Sequence, residues 1–111
     1  MTPPTTIAIG GTTMGQGSDG LGEILLKSFL HTLTQSDTPP HTLLLFNSGV
    51  TLTAPDTNTL CDLQTLAERG TRILSCGTCT NYYGITPAVG EISNMPEIVK
   101  TMQASENLIQ L

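Results

Sequence analysis

A chain of 111 residues, 38% hydrophobic and 12% charged, fits one domain with its own core and is too apolar for a disordered segment. The net charge is −5, and the four cations Lys27, Arg69, Arg72 and Lys100 are dispersed along the chain. That excludes the phosphate-neutralising stripe of a nucleic-acid binder and the basic face drawn to an anionic membrane, so no nucleic acid and no membrane are expected as partners.

Thr5 to Gly10 is expected as a first strand, ended by a glycine-rich loop from Gly11 to Gly20. A first helix is expected from about Leu21 to Gln35, where Leu21, Leu25, Leu26, Phe29, Leu30 and Leu33 fall within half of the helical wheel. That stripe is wider than one sheet contact needs, which leaves apolar surface for another helix or another subunit. Ser36 to Pro40 is a turn, since neither Pro39 nor Pro40 continues a helix. His41 to Asn47 is apolar on both faces, as a central parallel strand is. A loop from Ser48 to Pro55 follows, with Thr53-x-x-Asp56 as a capping box for a second helix that ends at Arg69, before Gly70.

A third strand, Thr71 to Ser75, leads into Cys76-Gly77-Thr78-Cys79 and a short helix. Ala88 to Ile92 is the best short fourth strand, and Asn94-x-x-Glu97 opens a last helix with Pro96 in its first turn. Met95, Ile98, Val99 and Met102 recur there at helical spacing and are expected in the core; Asn107 to Leu111 closes as a short strand. Alternating strands and helices joined by short loops predict one α/β sandwich over residues 1–111, its parallel sheet covered on both faces.

The longest apolar run, Leu43-Leu44-Leu45-Phe46, is far below the roughly 20 residues that span a bilayer. Met1 to Thr6 lacks the basic start and apolar core of a signal peptide, so a cytoplasmic location is expected. Three cysteines in a reducing compartment read as thiol chemistry rather than a disulfide framework.

In open α/β sheets, ligands bind at the carboxyl ends of the strands. Thr12 to Gly15, Asn47 to Val50 and Cys76 to Cys79 all reach that edge in the predicted topology. A thiol there lies near helix N–H groups, whose partial positive charge favours thiolate, the form that attacks, carries a second sulfur or binds metal. The Cys76 sulfur is expected uncovered where the sheet opens. Cys76 and Cys79 are therefore the candidate reactive thiols, with Thr13, Met14, Gly15, Asn47, Ser48, Gly49, Gly77, Thr78 and Tyr82 as candidate contacts for a small ligand. His41 falls at the opposite end of the sheet and His31 on the polar side of the first helix, so a Cys-His nucleophile within one chain is disfavoured.

Other readings have weaker support. Gly15-x-Gly17-x-x-Gly20 matches a dinucleotide fingerprint but starts well past the strand end, and Asn47-Ser48 stands where an acidic ribose ligand belongs. One Cys-x-x-Cys is half a tetrahedral zinc site; the rest would need Cys61, expected at the flank of the second helix, and a distant histidine. No metal and no cofactor is expected. The plainest alternative is that Cys76 and Cys79 are simply buried thiols.

Met14 to Leu30, Asn47-Ser48-Gly49-Val50, Ser75 to Cys79 with Tyr82-Tyr83-Gly84, and Val89 to Met95 together resemble the DsrE-like domain of YedF-type proteins, in the DsrE/DsrF sulfur-relay superfamily. The resemblance covers almost the whole chain, with the motifs in the family's order. It implies a three-layer α/β/α sandwich with a five-stranded, mainly parallel sheet, and a sulfurtransferase-like role. The position matching the family's persulfide-carrying cysteine is Cys76, and the second cysteine of the YedF-type branch matches Cys79. Sulfur donor and acceptor proteins or small persulfides are the implied partners, selenium metabolism the implied setting, and a trimer or hexamer the implied assembly. YedF-type proteins usually add an N-terminal TusA-like domain with a Cys-Pro-x-Pro motif, which is absent from these residues. The resemblance thus implies an excised C-terminal domain or a stand-alone version. The alternatives are a non-catalytic oligomeric module for a small ligand or metal, and a dithiol/disulfide redox protein.

Overall fold

The computed structural model describes residues 4–111; Met1 to Pro3, part of the segment read above for a signal peptide, lie outside them. Five strands, β1 (Thr5–Ile9), β2 (Thr42–Leu45), β3 (Arg72–Cys76), β4 (Glu91–Ser93) and β5 (Asn107–Gln110), form one sheet in the order β4-β3-β2-β1-β5. Every pairing is parallel, with Ile7 opposite Leu43 and Leu43 opposite Ile73. The helices are α1 (Asp19–Thr34), α2 (Leu60–Glu68), α3 (Gly77–Tyr83) and α4 (Met95–Ala104), with a 3-10 helix at Asn47–Thr53.

Side chains alternate across a strand, so the three inner strands β1, β2 and β3 feed two cores. Ile7, Ile9, Leu43, Leu45 and Ile73 pack against Leu26 and Leu30 of α1, Val50 and Leu52 of the 3-10 helix, and Leu63 and Leu66 of α2. On the other face Ala8, Leu44, Leu74 and Cys76 pack against Ile98 of α4. The expected three-layer α/β/α sandwich is present, and all four residues of β2 are buried, as its two-faced apolar run requires.

The local differences from expectation are explained by hydroxyls and glycines. The loop after β2 is a 3-10 helix in which Thr51 and Thr53 donate to the carbonyls of Ser48 and Val50. Thr57 and Thr59 both donate to the Leu52 carbonyl, which holds the chain in turns and delays α2 to Leu60. Thr53-x-x-Asp56 therefore caps nothing; short hydroxyl side chains compete with the helix for backbone partners. Asn94 does cap α4, accepting the Glu97 N–H at 2.9 Å, but the Glu97 carboxylate takes the Ser93 hydroxyl rather than completing a box. β4 shortens to Glu91–Ser93 because Gly90, at φ +75°, crosses so close to β3 that a Cβ would stand 2.3 Å from the Ile73 carbonyl oxygen. In α4 only Ile98 is buried; Met95 and Val99, expected in the core, are exposed, as are Leu21, Ile24 and Leu25 on α1.

α1 and α2 are tied by a carboxylate between two nitrogens. Asp62 accepts from Lys27 Nζ at 2.5 Å and lies 3.1 Å from His31 Nδ1. Burial pushes the Asp62 carboxyl up, but the hydrogen bonds and charges of Lys27 and His31 outweigh it and leave it below its ordinary 3.8. A carboxyl depressed in the folded state contributes stability above its unfolded value and loses it as pH falls through the folded one. Asp62→Asn is therefore expected to cost on the order of 1 kcal/mol at neutral pH, since Lys27 remains partly in solvent. Urea unfolding should show that cost steady above about pH 5 and shrinking below about pH 4.

Candidate functional site

β3 delivers Cys76 to the carboxyl edge of the sheet, and its extended backbone there, at ψ 124°, turns directly into α3. Gly77 permits the turn: a Cβ would lie 3.1 Å from Ile92 Cγ2 and 3.2 Å from the Ser93 carbonyl oxygen. Cys79 then sits one turn up α3. The three cysteines are free thiols, and Cys61 is exposed on α2, as expected.

The two site thiols differ in surroundings. Cys76 exposes only 3% of its surface, packed with Ala8, Leu44, Leu74 and Ile98, so the uncovered sulfur read from the sequence is corrected. A strand end flanked by glycine looks open in sequence; what closes it is α4, more than twenty residues away. Cys79 is half-buried and touches both cores. Its sulfur accepts the Asn47 N–H at 3.0 Å, at the exposed rim.

Burial raises the Cys76 thiol, but hydrogen bonds from the N–H and thiol of Cys79 and from the N–H and hydroxyl of Thr78 outweigh it, leaving Cys76 below the ordinary 9.0. Cys79 goes the other way. Burial, its hydrogen bond to Cys76 and the Cys76 charge raise it against the Asn47 N–H. The opposed shifts mean that Cys76 loses its proton before Cys79, a step that leaves one proton between the two sulfurs.

The structure gathers part of the expected ring of contacts. Asn47, in the left-handed region at φ 51°, which asparagine tolerates, offers its N–H to Cys79. Ser48 faces Gly11, and Gly49 lies so close to β1 that a Cβ would stand 2.4 Å from the Ile9 carbonyl oxygen. Thr78 and Gly77 flank Cys76. Thr13 and Met14 instead fold back on α1: the Met14 N–H donates to the Gly22 carbonyl at 3.0 Å, and Thr13 fits only because residue 22 lacks a Cβ. Gly15, at φ +86°, has nothing within 4 Å of a built Cβ. Tyr82 is 83% exposed and meets the Tyr83 ring edge-on at 5.1 Å.

Tyr83 is the residue that sequence reasoning missed. Its hydroxyl donates to Asn47 Oδ1 at 3.1 Å, bracing the residue that holds Cys79. Its position four residues after Cys79 puts both on one face of α3, and that spacing was the available signal.

His31 is engaged with Asp62, and His41, bonded to Thr42 at 2.8 Å, immediately precedes β2 at the opposite end of the sheet. No imidazole reaches the cysteines. Among the described residues no group of three or more His, Cys, Asp or Glu side chains is placed to hold a metal ion, and no helix is long and apolar enough to cross a membrane. The arrangement suits thiol exchange: one thiol lowered by peptide N–H groups, a second one helical turn away, and no imidazole beside them for hydrolysis.

No protein-family model and no curated protein matches the chain. Solved structures do match. The ychN protein from E. coli superposes with a TM-score of 0.76 at 17% identity, covering 99% of this chain and 100% of that one. MTH1491 from Methanobacterium thermoautotrophicum, a protein of unknown function, gives 0.67 at 18% identity over 99% of this chain and 100% of its own. BT1422 from Bacteroides thetaiotaomicron, a conserved protein of unknown function, gives 0.64 at 14% identity over 96% of this chain and 94% of its own. At these identities the likeness is one of fold: this chain has an α/β architecture that runs the whole length of small proteins from bacteria and an archaeon.

Proposed function

We propose that this chain is a single DsrE-like sulfur-transfer domain, in which Cys76 and Cys79 carry sulfane sulfur, or selenium, between a donor and an acceptor. The observation that carries this reading is the pair at the sheet edge: Cys76 ends β3, its thiol buried yet lowered by the N–H groups of Cys79 and Thr78, and the half-buried Cys79 follows one turn along α3. A thiolate of this pair takes the outer sulfur of a persulfide, and the N–H groups around Cys76 stabilise a persulfide anion formed there. The outer sulfur passes to an acceptor thiolate. Alternatively, the second cysteine attacks the inner sulfur, releases hydrogen sulfide and leaves a disulfide. No metal or cofactor takes part in either route.

The test is intact mass after incubation with sodium polysulfide in a Cys61→Ser background. The parent gains one sulfur, removable by reductant, and Cys76→Ala/Cys79→Ala gains none. Equal gain by the double variant would end the proposal.

The exposed Leu21, Ile24 and Leu25 on α1 support the homo-oligomer implied by resemblance. Ile24→Glu is expected to lower the sedimenting mass toward the monomer while leaving the urea midpoint of the subunit nearly unchanged. A parent that already sediments as a monomer at high concentration would refute this.

A further inference from the structure

The geometry points to Cys79 as the first acceptor of sulfur and to Cys76 as the store behind it. This rests on the sulfur-transfer reading above and reverses the order in which the two cysteines stand in the chain.

Access decides it. Cys76 lies under Ala8, Leu44, Leu74 and Ile98, with Phe46 and Met102 packed against the same cluster. A persulfide carried on a peptide or a small thiol has no approach to that sulfur from the α4 side. Cys79 is half-buried, and its hydrogen bond from Asn47 lies at the surface. A donor therefore meets Cys79 first, and Cys79, one turn along α3, packs against the same cluster that holds Cys76.

The substrate class is a thiol persulfide, R–S–SH. The single proton of the pair moves to Cys76, and the Cys79 thiolate, steadied by the Asn47 N–H, attacks the outer sulfur of the donor. The donor S–S bond breaks, RS⁻ leaves and takes a proton from solvent, and Cys79 holds S–SH. The Cys76 sulfur then attacks the outer sulfur of that persulfide. A new S–S bond forms on Cys76 as the one on Cys79 breaks, and the Cys76 proton goes to the departing Cys79 thiolate. Sulfane sulfur has moved inward and one proton outward, with no oxidant or reductant consumed. Running the steps backward hands the sulfur to an acceptor thiolate. Asn47 is a positioning residue here, and Tyr83 braces it.

The experiment uses glutathione persulfide on three proteins, Cys61→Ser alone and with Cys76→Ala or Cys79→Ala, quenched by alkylation and read by peptide mass. The parent is expected to hold its sulfur on Cys76. The Cys76→Ala protein still loads Cys79, no more slowly than the parent takes up sulfur, whereas the Cys79→Ala protein loads Cys76 about tenfold more slowly or worse. A second measurement needs no site variant: a bulky maleimide added to the Cys61→Ser protein should label Cys79 before Cys76. Loading of Cys76 at the parent's rate without Cys79, or maleimide reaching Cys76 first, overturns the order alone. Absence of any adduct on all three proteins overturns the sulfur-transfer reading itself.

Discussion

Replacing Cys79 by alanine in a Cys61→Ser background is expected to move the Cys76 thiolate titration upward, read by ultraviolet thiolate absorbance. Burial raises the Cys76 thiol; hydrogen bonds from Cys79 and Thr78 bring it below 9.0. Alanine keeps the backbone N–H of residue 79 but deletes the S–H, so burial faces fewer donors. The reciprocal variant, Cys76→Ala, is expected to move Cys79 downward, because it removes both the hydrogen bond and the neighbouring charge that raise it, leaving the Asn47 N–H in place. The parent should release the two protons in separated steps and the single variants should converge from opposite sides. Stability follows with opposite signs. The depressed Cys76 thiol contributes above its unfolded value and loses that as pH falls through the folded one; the raised Cys79 thiol contributes below its unfolded value and loses that as pH rises through the folded one. Titrations that stay put in both variants would mean that the sulfurs do not share a proton, and the relay would lose its proton path.

The layout of the sheet was legible because it depends on short-range pattern. Leu43, Leu44 and Leu45 read as a central parallel strand and are buried there; Ile7 and Ile9 lie on one face and Ala8 on the other, as period two demands. The position of Cys76 at the strand end followed from the same pattern, but its burial did not. Ile98 and Phe46 come from remote parts of the chain, and no local spacing in residues 71–84 announces them. Thr13 and Met14 were read as site residues because they follow β1, but their place on α1 depends on the missing Cβ of Gly22, a packing fact between two elements. The start of α2 was lost to hydroxyl chemistry at Thr57 and Thr59, which no spacing in the Thr53-x-x-Asp56 capping-box pattern announces.

Ile98→Ala is expected to have the largest effect on stability and to expose the hidden thiol as well. Ile98 is the buried residue of α4, 2% exposed, and it lies over the cluster that contains Cys76. Truncating a buried isoleucine costs about 2–5 kcal/mol, the transfer term plus the cavity left behind. Here the cavity opens beside a sulfur. The urea midpoint should fall by a corresponding amount with little change in slope. Val99→Ala, on the solvent side of the same helix, should stay within about 0.5 kcal/mol of the parent. Under native conditions a maleimide should then reach Cys76 faster in Ile98→Ala than in the parent, while labelling of Cys79, already half-exposed with its rim at Asn47, changes less. Loss of stability without faster labelling would mean that α3, not α4, shields the sulfur. In that case Cys79 would guard Cys76 by its own bulk, and only its removal would open the way.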